Sequence, residues 1–422
     1  MSKVNKIKIG LFGFGVVGQG LYDILIKSKG FQAEILKIAV KNKKKKRSLP
    51  AAFFTYEKNE LLDNPEINLI VELIDDADEA YRIVRAALEK GKNVVTANKK
   101  MLATHLEELV LLQQKYNVSL LYEASSCGSI PIIRNLEEYY DNEFLKSVSG
   151  IFNGSSNYIL SKVYDEKLSY ALALRQAQEL GFAESNPTLD TEAYDPKFKL
   201  VIIAAHSFGL FIHPDSVLNL GIQHLQEADI QYARQKGYKI KLVAVAQKIT
   251  KNKVSLFVTP QFVKPGEHLF NVENEYNAIT VEAGFSDTQF FLGKGAGGHP
   301  TGMAVLSDIS ALKHNYRYEY KRHIQADVKL DYSTNLELEI YLRFNDKSIL
   351  SKLGFTSISE KYSSSQHNYV IGIIPLSNLI KFKAELLQDE AFLVSTGSTL
   401  NKPSGIPANN AEFYSLTNLI EV

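Results

Sequence analysis

The feature that most constrains the fold of this chain is a group of three glycines close to its N-terminus. Gly13, Gly15 and Gly18 form the pattern G-x-G-x-x-G, directly after a short apolar segment and directly before an amphipathic one. The first glycine permits a tight turn, the second lets the backbone approach a pyrophosphate, and the third lets a helix pack closely on a strand. The amides at the start of that helix then face an anion. The pattern therefore predicts a dinucleotide site, with a purely structural strand–helix turn as the simpler alternative.

Strand-like and helix-like segments alternate through the first third of the chain. Short apolar runs predict strands at residues 7–12, 33–40, 69–74, 93–96 and 118–123, and amphipathic stretches predict helices at 17–29, 78–90 and 102–116. Alternation of this kind is typical of a doubly wound parallel sheet. We therefore expect an α/β fold with a Rossmann-type domain at residues 1–135. Beyond it, the mixed pattern predicts an α+β substrate and dimerisation domain at 136–315 and a small α+β C-terminal module at 330–422. The last helix of the middle domain, near 300–315, is expected to return to the cofactor domain.

Composition and charge narrow the class of protein. With 422 residues, of which 45% are hydrophobic and 23% charged, the chain is long enough for two or three domains without disulfide or metal support. A net charge of +1 gives no reason to expect a nucleic acid or an acidic membrane as a partner. The single cysteine, Cys127, excludes an internal disulfide and fits a reducing compartment. Because neither a signal-peptide pattern nor an apolar run of roughly 18 residues is present, we expect a cytoplasmic protein.

The end of the second predicted strand bears on the choice between NAD and NADP. Proteins that bind NAD commonly place a carboxylate there, which accepts hydrogen bonds from the ribose 2′-hydroxyl. Here Val40 is followed by KNKKKKR, residues 41–47, without an acidic residue. Lysines attract a 2′-phosphate, whereas a carboxylate would repel it. We therefore predict NADP, with Lys41 and Lys43 as its contacts; NAD binding and a purely solvated basic loop are the alternatives.

Five further segments carry a family resemblance when they are taken together and in order. They read VVTANK (94–99), YEASSCGSIP (122–131), GIFNGSSNYIL (150–160), GFAESNPTLDTEAYDPKFKL (181–200) and GKGAGGHPTGMAV (293–305). With the glycine pattern, they closely resemble the homoserine dehydrogenase family over residues 5–315. The resemblance implies reversible, NADPH-dependent reduction of aspartate 4-semialdehyde to homoserine, in the biosynthesis of threonine, methionine and isoleucine. It also implies a homodimer or a higher homo-oligomer.

The resemblance also implies roles for individual residues. Glu184, Asp190 and Asp195 would hold the substrate. Lys199 would be the proton donor and acceptor, and Lys99 would lie beside both cofactor and substrate. The cofactor would contact Gly13, Phe14, Gly15, Val16, Val17, Gly18, Thr96, Lys99, Gly181, Glu184 and Gly297. A monovalent cation such as Na⁺ would be held, largely by backbone carbonyls, at Glu123, Ser126, Gly128 and Ile130.

The sequence around Lys199 supports an acid–base role without the resemblance. Reduction of a carbonyl group needs a proton donor at its oxygen, and the reverse reaction needs a base at the same place. Lys199 lies in FKLVIIAA, a predicted helix with apolar residues on almost every side, where a lysine is better explained by a cleft than by a wet surface. The alternative is that Asp195, followed by Pro196, merely caps this helix and that Lys199 is its surface partner four residues on.

Some positions depart from the family's usual pattern. Asp75 and Asp76 replace two glycines close to the expected cofactor. Because carboxylates beside a cofactor phosphate are unfavourable, we expect the loop to turn them outward. Asn186 replaces an aspartate and Ala193 replaces a glycine. The C-terminal segment takes the place of an ACT-type regulatory domain, and residues 341–355 resemble the first strand and helix of such a domain. Because its D-x-P-G motif is absent, a structural role or an oligomerisation surface is equally consistent with this segment.

Two other functions fit parts of the pattern. A related NADP-dependent oxidoreductase acting on another small aldehyde would share the glycine pattern but would need a different substrate segment. A non-catalytic, cofactor-binding regulatory protein would explain Asp75, Asp76 and the altered C-terminal segment. The presence of Lys99 and Lys199 opposes this second alternative, because a sensor has no need of an acid–base lysine.

Overall fold

The strand that precedes the glycine turn lies inside a parallel sheet. The computed structural model describes residues 6–28, 32–324 and 329–401. Its first sheet has the strand order β3-β2-β1-β4-β5-β6, with the bounds β1 Ile7–Phe12, β2 Ala33–Ala39, β3 Phe54–Thr55, β4 Leu69–Glu72, β5 Asn93–Thr96 and β6 Leu120–Leu121. All neighbouring strands run parallel. The strand order reverses its direction between β1 and β4, which is where doubly wound sheets bind their ligands. The predicted Rossmann-type sheet is confirmed.

Within the described residues, the helices between these strands are α1 Val16–Lys27, α2 Asn59–Leu62, α3 Ala77–Glu89 and α4 Lys99–Tyr116. The start of α4 is Lys99 rather than the predicted residue 102, because Asn98 Oδ1 accepts a hydrogen bond from Met101 N at 3.1 Å and caps the helix. The end of α1 is Lys27, and the predicted last residue, Lys29, lies outside the described residues.

The second half of the chain forms a mixed sheet flanked by helices. Its strands are β7 Leu145–Ile151, β8 Leu218–Asn219, β9 Lys239–Thr250, β10 Lys253–Val263, β11 Tyr276–Ala283, β12 Thr288–Lys294 and β13 Asp331–Tyr332. Its helices are α5 Ile132–Glu137, α6 Gly154–Asp165, α7 Tyr170–Glu179, α8 Thr188–Thr191, α9 Tyr194–Phe208, α10 Glu227–Lys236, α11 Gly298–Leu312 and α12 Lys321–Ile324. Strands β9 and β10 form a long antiparallel pair, and β7, β11 and β12 extend the sheet beyond β9. The expected mixed α+β region is therefore confirmed.

Helix α9 is buried on all sides. Every residue from Asp195 to Phe208 is buried. The helix packs between α4 of the parallel sheet and strands β9 and β10 of the mixed sheet. The prediction that FKLVIIAA has almost no solvent-facing side is confirmed. A charged side chain on this helix must therefore find its partners inside the protein, because burying an unpaired charge is strongly unfavourable.

A close approach between α1 and α11 joins the cofactor turn to the second half of the chain. A Cβ atom added to Gly20 would lie 2.2 Å from the carbonyl oxygen of Gly298. A Cβ atom on Gly298 would lie 2.9 Å from the carbonyl oxygen of Val16. Only glycine allows backbones to approach so closely. The start of α11 is therefore held against the first turn of α1.

The described part of the C-terminal segment, residues 329–401, adds four more strands to the mixed sheet. Its elements are β14 Leu336–Phe344, α13 Ser348–Leu353, β15 Ser357–Ser363, β16 Asn368–Pro375, α14 Leu376–Lys381, α15 Lys383–Gln388 and β17 Phe392–Asn401. The strands lie in the order β17-β14-β16-β15 and are antiparallel, a β-α-β-β-α-β arrangement of the ferredoxin-like kind. Strand β17 also pairs in parallel with β10, at Ser395 and Gln261, so the whole sheet is continuous. The α+β module is confirmed, whereas its predicted residues 402–422 lie outside the described residues. The domain boundaries stay a prediction.

Within the described ranges, the helices are too short or too polar to cross a membrane.

Candidate active site

The glycine turn after β1 has the geometry that a pyrophosphate requires. Gly13 has a φ of +93°, and a Cβ atom there would lie 2.4 Å from the carbonyl oxygen of Leu73. Over Gly15 the space is open to at least 4 Å, so a ligand can approach its backbone. A Cβ atom on Gly18 would lie 2.6 Å from the carbonyl oxygen of Gly13, so the helix packs tightly against the turn. The residues present therefore fit a bound dinucleotide.

The side chains between these glycines leave that backbone accessible. Phe14 is buried and stacks edge-on against Tyr22 and Phe54. Val16 is exposed, and Val17 is partly buried. The turn thus presents main-chain groups at the start of α1, where the helix dipole favours an anion.

A buried carboxylate between two lysines lies next to the carboxyl edge of the parallel sheet. Asp195, in the first turn of α9, has one oxygen 2.5 Å from Lys99 Nζ and the other 2.8 Å from Lys199 Nζ. The side chains of Asp195 and Lys199 are 3% and 7% exposed, whereas that of Lys99 is 39% exposed. Burial alone would raise the pKa of Asp195, but the two ammonium groups outweigh it and hold the pKa well below its usual range. The structure therefore brings three of the predicted residues into direct contact.

Asn153 bridges two of the acidic residues, although the sequence was not interpreted in that way. Its Nδ2 donates hydrogen bonds to Asp190 Oδ1 at 2.7 Å and to Asp195 Oδ2 at 2.9 Å. Its Oδ1 accepts from Ser156 N and caps α6. Burial and the nearby charge of Asp195 raise the pKa of Asp190 to about 6. Asparagine followed by glycine at a strand–helix junction was the available signal, since asparagine is a preferred helix cap.

A second unpredicted amide lies behind Lys199. Lys199 Nζ donates to the carbonyl oxygen of Phe152 at 2.6 Å, and Asn277 Nδ2 donates to the same oxygen at 3.0 Å. Asn277 is fully buried in β11, and its Oδ1 has no hydrogen-bond partner within the described part of the chain. Nothing in the apolar pattern of β11 pointed to this role. Cys127 is buried nearby, and burial raises the pKa of its thiol to about 12, which argues against a nucleophile.

The remaining substrate and nicotinamide candidates lie around this cluster. Glu184 is exposed in the loop after α7, and its charge is close enough to contribute to raising the pKa of Lys99. Gly181 has a φ of +77° at the end of α7, with open space where a Cβ atom would be. Gly297 has a φ of +119° and immediately precedes α11. Both are positions where a side chain would be strained.

Thr96 differs from the other cofactor candidates because its side chain is already engaged. It is fully buried at the end of β5, where its Oγ1 donates to Glu72 Oε2 at 2.5 Å. Glu72 also accepts from Ile74 N at 2.7 Å, and burial raises the pKa of Glu72 to about 7. The hydroxyl of Thr96 therefore stabilises the ends of β4 and β5.

The basic loop after β2 is exposed and ordered by its own side chains. Asn42 Oδ1 accepts from Lys44 N and Lys45 N, which forms a turn. Lys43 Nζ lies 5.0 Å from the centre of the Tyr56 ring, and Lys41 is exposed. These two lysines are the first in the loop after the strand.

The two aspartates that replace glycines lie in the loop between β4 and α3. Asp75 and Asp76 are both exposed. Asp76 Oδ1 accepts from Glu79 N at 3.0 Å, and this hydrogen bond lowers the pKa of Asp76. Asp76 is therefore the N-terminal cap of α3, as its residue type favours.

The loop expected to hold a cation has one group that fits and one that is occupied. Ser126 Oγ is buried and has no hydrogen-bond partner among the residues described. The Glu123 carboxylate instead accepts from Ile133 N at 2.9 Å and Arg134 N at 2.8 Å, and so caps α5. Burial and the charge of Asp308 raise the pKa of Glu123 to about 8.

The backbone of the cation loop is already partly paired. Gly128 has a φ of +58° and lies against the carbonyl oxygen of Lys294. The carbonyl oxygen of Ile130 accepts from Ile132 N at 2.8 Å. Across the described ranges, no group of three or more His, Cys, Asp or Glu side chains is arranged to hold a metal. A cation here would depend on carbonyl and hydroxyl oxygens.

A glycine turn at the switch point of a parallel sheet, together with two lysines on a buried aspartate, is typical of a nicotinamide-dependent oxidoreductase. Comparison with known proteins identifies the family within this class. The family models described as "Homoserine dehydrogenase, NAD binding domain" and "Homoserine dehydrogenase" match residues 13–123 and 131–310. The homoserine dehydrogenase of Bacillus subtilis is 35% identical over 323 residues, which is 74% of each chain. The chain belongs to the homoserine dehydrogenase family.

Solved structures agree with this assignment. A homoserine dehydrogenase from Thiobacillus denitrificans superposes with a TM-score of 0.79 at 29% identity, covering 93% of this chain and 98% of that one. A hyperthermophilic archaeal homoserine dehydrogenase mutant in complex with NADPH has a TM-score of 0.64 at 25% identity, covering 74% of this chain and 99% of that one. The family-model matches end at residue 310, so the likeness of the C-terminal segment to an ACT-type domain stays a prediction.

Proposed function

We propose that this chain catalyses the NADP-linked interconversion of aspartate 4-semialdehyde and homoserine at the cluster formed by Asp195, Lys99 and Lys199. The observation that carries the proposal is the pair of lysines on one buried carboxylate, 2.5 and 2.8 Å from its two oxygens. A site that only binds a dinucleotide has no use for such a buried arrangement. We propose reduction of the semialdehyde as the physiological direction.

Lys199 is the proposed proton donor to the carbonyl oxygen, and the base that removes the same proton in the reverse reaction. When bound, the nicotinamide cofactor supplies or accepts the hydride. Asp195 and the carbonyl of Phe152 fix Lys199 Nζ, which leaves one ammonium hydrogen for the substrate. Asn277 keeps the Phe152 carbonyl in place.

The acidic residues around the lysines are the proposed site for the ammonium group of the substrate. Asp190, Asp195 and Glu184 bring three carboxylates against the two lysines, so the ionised cluster has an excess of negative charge. Asn153 orients two of them. Such a cluster favours an aldehyde that carries an ammonium group over an aldehyde that lacks one.

The glycine turn and the basic loop are the proposed cofactor contacts. The turn would hold the pyrophosphate through main-chain groups, and Lys41 and Lys43 would attract a 2′-phosphate. Gly181 and Gly297 would leave room for the nicotinamide end. Thr96 would act through Glu72 and the ends of the strands rather than by direct side-chain contact. The archaeal homoserine dehydrogenase mutant in complex with NADPH supports a nicotinamide cofactor, and the basic loop is the support for NADP in particular.

A monovalent cation in the loop 123–130 is a further part of the proposal. Its support is the buried, unpartnered hydroxyl of Ser126, since unsatisfied buried oxygens are rare and costly. A cation that binds only the folded protein stabilises it by an amount that grows with the logarithm of the cation concentration above the dissociation constant. The melting temperature should therefore rise more with NaCl than with an equal concentration of choline chloride, and Ser126→Ala should remove the difference.

The assembly is proposed to be a homodimer or a higher homo-oligomer of chains with three domains, at 1–135, 136–315 and 330–422. Exposed apolar side chains, which include Phe144, Phe285 and Leu292, are available for such contacts. Light scattering during size-exclusion chromatography measures the number of chains directly.

NADPH consumption tests the proposal most directly. We expect NADPH to be oxidised with aspartate 4-semialdehyde and much more slowly with butanal, which lacks the ammonium and carboxylate groups. Comparable rates with both aldehydes would favour an oxidoreductase for another small aldehyde. NADPH binding without consumption of either would indicate a non-catalytic regulatory protein. Asp195→Asn should reduce the rate with the semialdehyde, because both lysines lose their counter-charge.

A further inference from the structure

A lysine of the C-terminal segment reaches the segment that leads into the active-site helix. Lys383, the first residue of α15, donates from Nζ to Asn219 Oδ1 at 2.8 Å. Asn219 is 1% exposed, and its Nδ2 donates to the carbonyl oxygen of Glu192 at 2.7 Å. Glu192 lies three residues before Asp195. Two hydrogen bonds therefore connect the C-terminal segment to the turn that carries the central carboxylate.

That turn contains a strained residue. Ala193 has φ 65° and ψ 27°, in the left-handed region, and it is fully buried. A side chain in this region is unfavourable, and glycine is the residue that adopts it freely. Strain of this kind persists only where the surrounding structure enforces it. The hydrogen bond from Asn219 to Glu192, directly before Ala193, is one such restraint.

The residue after Ala193 makes a second contact with Lys383. Lys383 Nζ lies 5.5 Å from the centre of the Tyr194 ring, and Lys197 Nζ lies 4.8 Å from the same ring. Both distances are within the range of cation–π attraction. Lys383 thus contacts the turn on both sides of Ala193, through Asn219 before it and through Tyr194 after it.

We infer that Lys383 is a positioning residue for the active site, because it holds the strained turn at Ala193 and thereby fixes Asp195 between Lys99 and Lys199. The inference rests on the proposed function of that cluster. A small displacement of Asp195 would move both lysines, since each makes a short ion pair with it. The C-terminal segment is then part of the support of the active site, independent of any effector.

Replacing Lys383 by methionine tests the inference. In K383M we expect kcat/KM for homoserine to fall about tenfold, because small misplacements of positioned groups are costly to catalysis. The affinity for NADP, measured by titration, should stay within about twofold of wild type, since the glycine turn is not touched. K383R, which keeps the cation, should stay close to wild type. The matched control is K381M, which removes an exposed lysine from the neighbouring helix.

Relief of the strain gives the deciding measurement. Ala193→Gly removes the need for an external restraint, so adding A193G to K383M should recover most of the lost kcat/KM. A193G should raise kcat/KM by a larger factor in K383M than in the wild-type chain. A K383M enzyme with the kinetics of K381M would overturn the inference, as would a folded K383M that A193G fails to rescue. If wild type and K381M both fail to oxidise homoserine, the proposed function itself is wrong.

Discussion

At the scale of single residues, the two lysines on Asp195 are chemically different. Burial lowers the pKa of Lys99, but the charge of Asp195 outweighs this effect, so the pKa of Lys99 lies above its usual value. Lys99 therefore holds its proton firmly and suits a role as a permanent charge. The Lys199 side chain is more deeply buried than that of Lys99, and its Nζ also donates a hydrogen bond to a neutral carbonyl oxygen. Of the two, Lys199 is the one that we propose as the proton donor.

Replacing Lys199 by methionine should lower kcat by roughly 10²-fold or more, the usual scale for loss of a general acid. Methionine fills a similar volume, so the buried helix should stay intact. The measurement is turnover of homoserine at saturating NADP, together with the dissociation constant of NADPH, which should be unchanged. If K199M keeps most of the wild-type turnover, Lys199 is only the partner of Asp195 within the helix.

Asp190 should give the reaction an acidic limb in its pH profile. Its pKa is raised to about 6, so its charge is present above that pH and is lost as the pH falls through it. If the charge binds the ammonium group, kcat/KM for aspartate 4-semialdehyde should fall about tenfold per pH unit below this pKa, because this direction needs Lys199 protonated and adds no acidic limb of its own. Asp190→Asn should have a lower kcat/KM at pH 8 and no such limb. An unchanged limb in D190N would assign the titration to another group.

The sequence predicted the charged residues of the candidate site but not the amides that orient them. Lys99, Asp195 and Lys199 were predicted from ordered motifs and from the absence of a wet face on the helix. Asn153 and Asn277 act through contacts between residues far apart in the chain, such as Asn277 with Phe152. A single sequence carries no signal for such a contact.

At the scale of secondary-structure elements, local chemistry was predictable where one or two residues decide the geometry. The glycine turn follows from three glycines, and each has the contact that its position requires. Helix α4 begins before the predicted residue 102, because the side chain of Asn98 caps it. Asp75 and Asp76 are both exposed, and Asp76 also caps α3, which was not predicted from charge.

The basic loop after β2 should determine the choice of cofactor. Lys41→Ala with Lys43→Ala should weaken NADP binding by roughly 5- to 150-fold, equivalent to about 1–3 kcal/mol, and should leave NAD binding almost unchanged. The matched control is Lys45→Ala with Lys46→Ala, which removes the same charge further from the strand. High salt should narrow the wild-type preference by screening these charges. Equal binding of NAD and NADP at low salt, measured by titration, would show that the loop is only solvated.

At the scale of the whole molecule, the sequence predicted the parts but not how they join. The C-terminal segment was expected to be a module of its own, and its strands do form a ferredoxin-like set. Its strand β17, however, pairs with β10, more than 100 residues away in sequence, at Ser395 and Gln261. Such a pairing depends on the packing of the whole chain, because strand periodicity identifies the buried face and not the neighbouring strand.

A buried ion pair also connects strand β14 of the C-terminal segment to helix α10. Arg343, in β14, has its Nε 3.0 Å from Asp229 Oδ1, and the two side chains are 1% and 0% exposed. Arg343 Nη2 also donates to the carbonyl oxygen of His224, and Tyr341 OH donates to Asp229 Oδ1. Burial raises the pKa of Asp229 even with this arginine beside it. Without Arg343, Asp229 would be a buried carboxylate with too few partners.

Removing one partner of this pair should therefore destabilise the molecule strongly. We expect Arg343→Met to lower the free energy of unfolding by ~3–5 kcal/mol, because it leaves an uncompensated buried charge. Adding Asp229→Asn should recover part of the loss, since the amide oxygen can still accept from Gln226 N. Arg175→Met breaks an exposed pair with Glu179 and should cost at most about 1 kcal/mol. Urea unfolding of the three variants measures these differences, and equal effects of R343M and R175M would contradict the prediction. If the continuous sheet and this ion pair couple the C-terminal segment to the catalytic region, the two should unfold at the same urea concentration in R343M, and that concentration should be lower than in the wild-type chain.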